Sequence, residues 1–206
     1  MLTGDWWRVF TAPLLHASAS HLIGNGIALL IIGLRLEPLI GSRWFAGLFV
    51  VSALGGSLAS PLINPPTVVG VGASGGIVGL FAAAVFLAKR VPDPRTRAKL
   101  IRSAAFSLAP ALLPFLGGLQ AGGGGLIDYG AHIGGAIAGA LAGLAVLRHW
   151  PATTGRPAQF IWPAAIAGLF FVAAAGAIVP IRVGMNDASL LVPDFPTGAA
   201  AQLRAA

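Results

Sequence analysis

Lys89-Arg90-Val91-Pro92-Asp93-Pro94-Arg95-Thr96-Arg97-Ala98-Lys99, with Arg102 just beyond, is the densest run of positive charge in this chain. It separates two long apolar runs, and the fold depends on where it can sit. The chain has 206 residues, 56% apolar and only 9% charged, with a mean hydropathy of +0.85. An ordinary soluble domain carries about 25% charged residues, so this chain cannot cover a globular surface with charge. That excludes a soluble enzyme. Disorder and a disulfide-stapled secreted fold are excluded too, because the apolar fraction is high and cysteine is absent. The class left is an all-α polytopic membrane bundle. A spanning helix needs about 20 apolar residues, which leaves room for about six or seven spans.

Outward from the basic run, six apolar segments stand at roughly 20–37, 44–62, 74–88, 101–119, 129–147 and 160–180. Positive loops stay in the cytoplasm, and the other loops then alternate. The cytoplasmic side collects Arg35, Arg43, Lys89, Arg90, Arg95, Arg97, Lys99, Arg102, Arg148 and Arg156, and the outer side keeps Arg8, Arg182 and Arg204. That ten-to-three division turns the net charge of +7 into a topology signal, with the lipid bilayer and no nucleic acid as partner. Residues 2–10 mix polar and apolar side chains, so they do not read as a signal peptide. Alternation sets the first residues on the outer face, where Trp6 and Trp7 are interfacial anchors or have a specific role. The composition suits a multi-pass protein of a bacterial inner (plasma) membrane.

Polar groups inside apolar spans need a reason. His21 and Asn25 are four residues apart in the first span, so a helix puts them on one face. The third span opens Val71-Gly72-Ala73-Ser74-Gly75-Gly76-Ile77-Val78-Gly79. From Ser74 to Lys89 a helix reaches roughly 22 Å, short of the ~30 Å hydrocarbon core. The helix therefore starts below the outer surface, and 61–71 is irregular backbone that must line a wet cavity or be buried in protein. Taken alone, Ser74 reads as a helix cap and its glycines as packing. The fifth span adds His132 near its outer end, with Gly135 and Gly139 continuing its face as Gly75 and Gly79 continue that of Ser74. Small residues spaced four apart let two backbones approach, which is what a serine hydroxyl needs to reach an imidazole. A neutral His132 could take the Ser74 proton, while Asn25, His21 and the Ser74 N–H could hold an oxyanion. Asp128 could orient the imidazole, but a carboxylate there also suits a helix N-cap, and the pair is treated as a dyad.

At these residues the chain resembles a rhomboid intramembrane serine protease. The resemblance rests on Trp7-Arg8, His16 with His21 and Asn25, Gly72-Ala73-Ser74-Gly75, and Ala131-His132 with Gly135 and Gly139. It covers about residues 5–147. It implies a helical bundle with a water-filled cavity, cutting transmembrane segments of single-pass proteins. Ser74 is then the nucleophile and His132 the base. His21, Asn25, Ser74 and Gly72 lie on the oxyanion and substrate side, and His16 is a further histidine of the pattern. Glu37 with Gly41 resembles the family's turn after this span, structural rather than catalytic. Three departures stand out. The family's first core helix is expected upstream of the Trp-Arg loop, so this start reads as a truncation or a late start codon. Residues 160–180 would be an added seventh helix. An aromatic that packs on the histidine in many members is Val78 here, so either His132 is held less firmly or Phe81 or Tyr129 serves instead.

The expected organisation is a catalytic membrane domain over 1–150, an added C-terminal helix over 151–181 and an outer tail over 182–206. An inactive rhomboid-like binder of membrane segments is the main alternative, and a small transporter of broken helices is a third. The glycine-rich run 117–125 is either a lid beside the fourth span or a plain connector. The chain's histidines are His16, His21, His132 and His149, so no metal set and no cofactor is expected. Because a helix hides its backbone in lipid, substrates should carry helix-weakening residues near their outer boundary, with a small residue before the cut.

Overall fold

The computed structural model describes residues 6–65, 68–113, 127–152 and 155–186, with side chains described as far as 177. Among the described residues the chain is helical: α1 (Arg8–Thr11), α2 (Ala19–Ile40), α3 (Ser42–Ile63), α4 (Ser74–Leu87), α5 (Pro94–Leu112), α6 (Tyr129–Arg148) and α7 (Trp162–Asn186). Short 3-10 turns follow α1 at Ala12–Leu14 and α4 at Ala88–Arg90. The helices α2, α3 and α6 are each long and apolar enough to cross a membrane on length and composition. The molecule is an integral-membrane helical bundle.

Two expected elements shift. The second span runs to Ile63, through Pro61, so the irregular stretch before Ser74 begins only at Asn64. The fourth begins at Pro94 rather than near 101, inside the basic run. A search for apolar runs cannot see that start, because it is written in capping chemistry. Asp93 accepts the Thr96 N–H at 2.7 Å, and Pro94 takes the first helical position, where no N–H is needed. Arg and Lys are good helix formers, so charge does not stop the helix. The glycine-rich run 117–125 lies outside the described residues.

The centre of the bundle is α4, only 14 residues long, packed between α3 and α6. Its two halves are built differently. Toward the basic loop, Leu80, Phe81 and Leu87 are sealed against Ile32, Leu36, Leu100, Val146 and Trp150. Toward the opposite end, Gly75, Gly76 and Gly79 leave the backbone bare. There α6 comes into direct backbone contact: a Cβ on Gly139 would meet the Gly79 Cα at 2.5 Å, and one on Gly75 would meet the Ala131 carbonyl oxygen at 3.0 Å. The third helix closes in the same way, since a Cβ on Gly56 would meet the Ala131 carbonyl oxygen at 2.7 Å. Large side chains thus hold one half of the bundle, and backbone packing draws the helices together in the other.

Gly41 ends α2 at φ +86°, donates its N–H to the Glu37 carbonyl at 2.7 Å and lets α3 start at once. The Glu37 carboxylate accepts from Ser42 Oγ at 2.5 Å, closing the turn. Helix α7 is tied on by aromatics. The Trp44 indole stacks on His149 at 5.9 Å, meets Trp162 edge-on at 4.8 Å and donates Nε1–H to the Ala158 carbonyl at 2.8 Å. From there α7 runs along α3 and reaches α1.

Candidate active site

Where the glycines bring α4 and α6 together, Ser74 Oγ lies 3.0 Å from His132 Nε2. Ser74 is the first residue of α4, and its side chain caps nothing: Ala73 occupies the cap position without a side-chain bond. The hydroxyl is turned to the imidazole instead. The other ring nitrogen, His132 Nδ1, stands 2.9 Å from the Ala111 carbonyl on α5. A carbonyl oxygen can only accept, so Nδ1 carries the hydrogen. In the neutral ring Nε2 is then the lone-pair nitrogen and accepts from Ser74 Oγ–H. This is the tautomer a general base needs. Tyr129 meets the His132 ring edge-on at 6.3 Å and 81°. It stands against the ring, while Phe81 is buried in the core at 1% exposure.

Asp128 is a cap. Its Oδ1 accepts the Ala131 N–H at 2.7 Å at the start of α6. Its two oxygens also take Ser60 Oγ–H at 2.7 Å and the Asn64 amide at 2.5 Å. Asn64 Oδ1 in turn accepts the Gly130 N–H at 3.0 Å. The end of α3 is therefore pinned to the start of α6, directly ahead of His132. Ser60 and Asn64 did not stand out in the sequence; their signal is a pair of polar residues four apart at a span end. The Ala111 carbonyl and the Ala12 carbonyl had no signal, because any residue offers one.

On the other side of the serine, Gly72 has φ +122°, in the region that favours glycine. It lies flat against the His/Asn pair: a Cβ there would meet His21 Nε2 at 2.8 Å and Asn25 Nδ2 at 3.4 Å. Its N–H donates to the Ala12 carbonyl at 2.9 Å, so the 3-10 turn before α2 holds the segment leading to Ser74. Ser18 caps α2 by accepting the His21 N–H at 3.1 Å, which sets the helix start just ahead of His21. The His16 ring packs edge-on to His21 at 5.2 Å. Two polar atoms in this corner, the amide donor Asn25 Nδ2 and the ring nitrogen His16 Nε2, are buried with no hydrogen-bond partner. The Ser74 N–H, in the first turn of α4, has no intrahelical acceptor. His16, His21, Asn25 and Gly72 thus share one corner, beside the Ser74 and His132 pair. Among the described residues, no group of three or more His, Cys, Asp or Glu side chains could hold a metal.

A serine hydroxyl thus faces an imidazole inside a helical membrane bundle, beside the buried amide of Asn25. Residues 3–149 match the rhomboid domain family, and the chain belongs to that family. Among curated proteins it is similar to the rhomboid protease AarA of Providencia stuartii, 36% identical over 71% of this chain and 58% of the relative. It is also similar to RHOMBOID-like protein 5 of Arabidopsis thaliana, at 34% over 70% of this chain and 45% of that protein. The rhomboid protease GluP of Bacillus subtilis (strain 168) is 32% identical over 69% of this chain and 26% of its own length. The chain spans about half the length of the first two of these, 58% and 45%. No solved structure matches it.

Proposed function

We propose that this chain is an intramembrane serine endopeptidase in which Ser74 is the nucleophile and His132 the general base. The observation that carries it is the 3.0 Å contact between Ser74 Oγ and His132 Nε2, with Nδ1 committed to the Ala111 carbonyl. In the first step Ser74 Oγ attacks the scissile carbonyl carbon as its proton passes to Nε2. The carbonyl oxygen becomes an oxyanion, and Asn25 Nδ2, His21 and the Ser74 N–H are its donors. Asn25 suits this because its amide is buried and unpartnered, and a donor that needs no reorganisation is worth about 3 kcal/mol of transition-state stabilisation. His132 then gives its proton to the leaving amine, and water deprotonated by the same nitrogen releases the acyl chain.

The substrates we propose are single-pass transmembrane proteins. A spanning helix keeps its peptide bonds internally satisfied, so the cut falls where Gly, Pro or polar residues loosen it near the outer boundary. The catalytic bundle spans residues 1–150, and α7 is an addition to it. The membrane we propose is a bacterial plasma membrane, on the composition of the chain; its relatives are both bacterial and plant proteins. The test uses purified chain in liposomes with a transmembrane reporter and a fluorophosphonate probe. Cleavage and labelling are expected from the wild type and lost on Ser74→Ala. Cleavage that survives in Ser74→Ala refutes the assignment, and folded wild-type protein that neither labels nor cuts favours an inactive binder of membrane segments instead.

A further inference from the structure

Helix α7 supplies no group to the chemistry proposed above, yet two chains of contact lead from it to the residues flanking Ser74. Phe170 is 2% exposed and forms a buried cluster with Val50 and Ala167, against which the partly buried Phe10 and Phe49 pack. The Phe10 and Phe170 rings are 6.2 Å apart. Phe10 belongs to α1, which passes directly into the 3-10 turn Ala12–Leu14. The Ala12 carbonyl accepts the Gly72 N–H at 2.9 Å, and Gly72 lies against His21 and Asn25, two residues before Ser74. The second chain runs through Phe49. A Cβ on Gly76 would meet Phe49 Cε2 at 2.8 Å and its carbonyl oxygen at 3.1 Å, so that ring presses on α4 two residues after Ser74.

We infer that Phe170 of α7 is a positioning residue for Ser74. Through Phe10 and Ala12 it steadies the segment that enters the serine, and through Phe49 the helical turn that leaves it. The inference rests on Ser74 being the nucleophile. Side chains in a packed interior leave few voids, so a removed benzyl group lets Phe10, and the cluster on which Phe49 packs, relax into the space. Either relaxation moves one flank of Ser74 relative to His132, whose own ring is held separately by Ala111 on α5. Misplacement of about 1 Å can cost about 10²-fold in rate. With each flank keeping its other contacts, the loss expected here is about tenfold.

The test compares the full chain in liposomes as wild type, Phe170→Ala, Phe170→Leu and Phe10→Ala. Three quantities are read: the fluorophosphonate labelling rate of Ser74, kcat and KM on a transmembrane reporter, and the thermal midpoint. Phe170→Ala is expected to lower labelling rate and kcat about tenfold with KM within about twofold. Phe170→Leu, which refills most of the space, is expected to recover most of the loss, and Phe10→Ala to move both rates in the same direction. A lower midpoint with unchanged labelling per folded molecule makes α7 an anchor only and overturns the inference. If Phe170→Ala does not fold, Phe10→Ala decides alone by the same criterion. Wild-type protein that fails to label sinks the protease reading and the inference together. Wild-type labelling with unaltered variants sinks only the inference.

Discussion

Gly135→Ala adds one methyl group where α6 lies directly on the backbone of α4, one residue from Ser74. The new Cβ would sit 2.7 Å from the Gly75 carbonyl carbon and 3.0 Å from its Cα, with the Gly75 carbonyl oxygen closer still. Carbon atoms rest comfortably at about 3.5 Å, so α4 and α6 must part by at least about 0.8 Å at this level. Both partners are backbone, so no side chain can swing away to absorb the clash. Overpacking of this kind costs about 1–3 kcal/mol of stability. The larger effect falls on the dyad. His132 stands one turn before Gly135, and Ser74 immediately precedes Gly75. The 3.0 Å contact would open to roughly 3.8 Å, beyond the ~3.2 Å limit of a useful hydrogen bond. A displacement of that size is expected to lower the rate by about 10²-fold, or about 2.7 kcal/mol in the barrier. The assay is the fluorophosphonate labelling rate of Ser74 with cleavage of a transmembrane reporter, both per folded molecule. Gly168→Ala is the control, because a Cβ there meets nothing within 4 Å. It should keep full activity and gain up to about 1 kcal/mol from helix propensity. If Gly135→Ala labels within about twofold of wild type, the glycine contact does not set the Ser74 to His132 distance.

Asp128→Ala removes the acceptor for Ser60, Asn64 and the Ala131 N–H, and should destabilise the bundle by on the order of 3 kcal/mol in a thermal or denaturant measurement. Asp128→Asn keeps a helix cap and should lose less than about tenfold in kcat, whereas a true third catalytic member would lose about 10⁴-fold; a loss of that size makes the pair a triad. Asp93 caps α5 at the basic end, and hydrogen bonds from Thr96, side chain first and then backbone, hold its carboxyl below the usual carboxylate range. A depressed carboxyl contributes above its unfolded value of about 4, and the contribution is lost as pH falls through the folded one. Amide exchange at Thr96 and Arg97 should therefore be protected relative to Asp93→Ala near neutral pH, with the difference vanishing in acid. Equal exchange in both proteins near neutral pH removes the cap.

How much of this was legible in the sequence depends on whether the information is carried by side chains or by carbonyls. Ser74, His132, His21 and Asn25 stood out because polar side chains in apolar helices are costly, and each therefore asks for a partner. The glycines were legible for the complementary reason: their four-residue spacing predicts a face bare enough for backbone contact, and α4 and α6 meet there. Asp128 could be read as a cap because its position just ahead of an apolar helix is itself a signal, and it caps α6 through Ala131. The fourth span was misplaced because hydropathy outweighed Asp93-Pro94, a start signal that lies in plain view once charge is set aside.

The unreadable part has a common cause. The group that sets the His132 tautomer is the carbonyl of Ala111, and the group that holds Gly72 is the carbonyl of Ala12. An alanine offers no side chain to advertise either role, and any residue with the same backbone path would serve. The path is what matters, and it is set by contacts far along the chain: Pro94–Leu112 brings the Ala111 carbonyl to His132 Nδ1, and Phe10, which packs on Phe170, lies just before the turn that carries Ala12. Substitution at Ala111 or Ala12 should thus be tolerated wherever the new side chain fits, while a change that shifts α5 or α1 should not be. Ser74 and His132 suggest the proposed chemistry, but the 3.0 Å between them is a property of the helices, which meet through backbone contacts at the glycines.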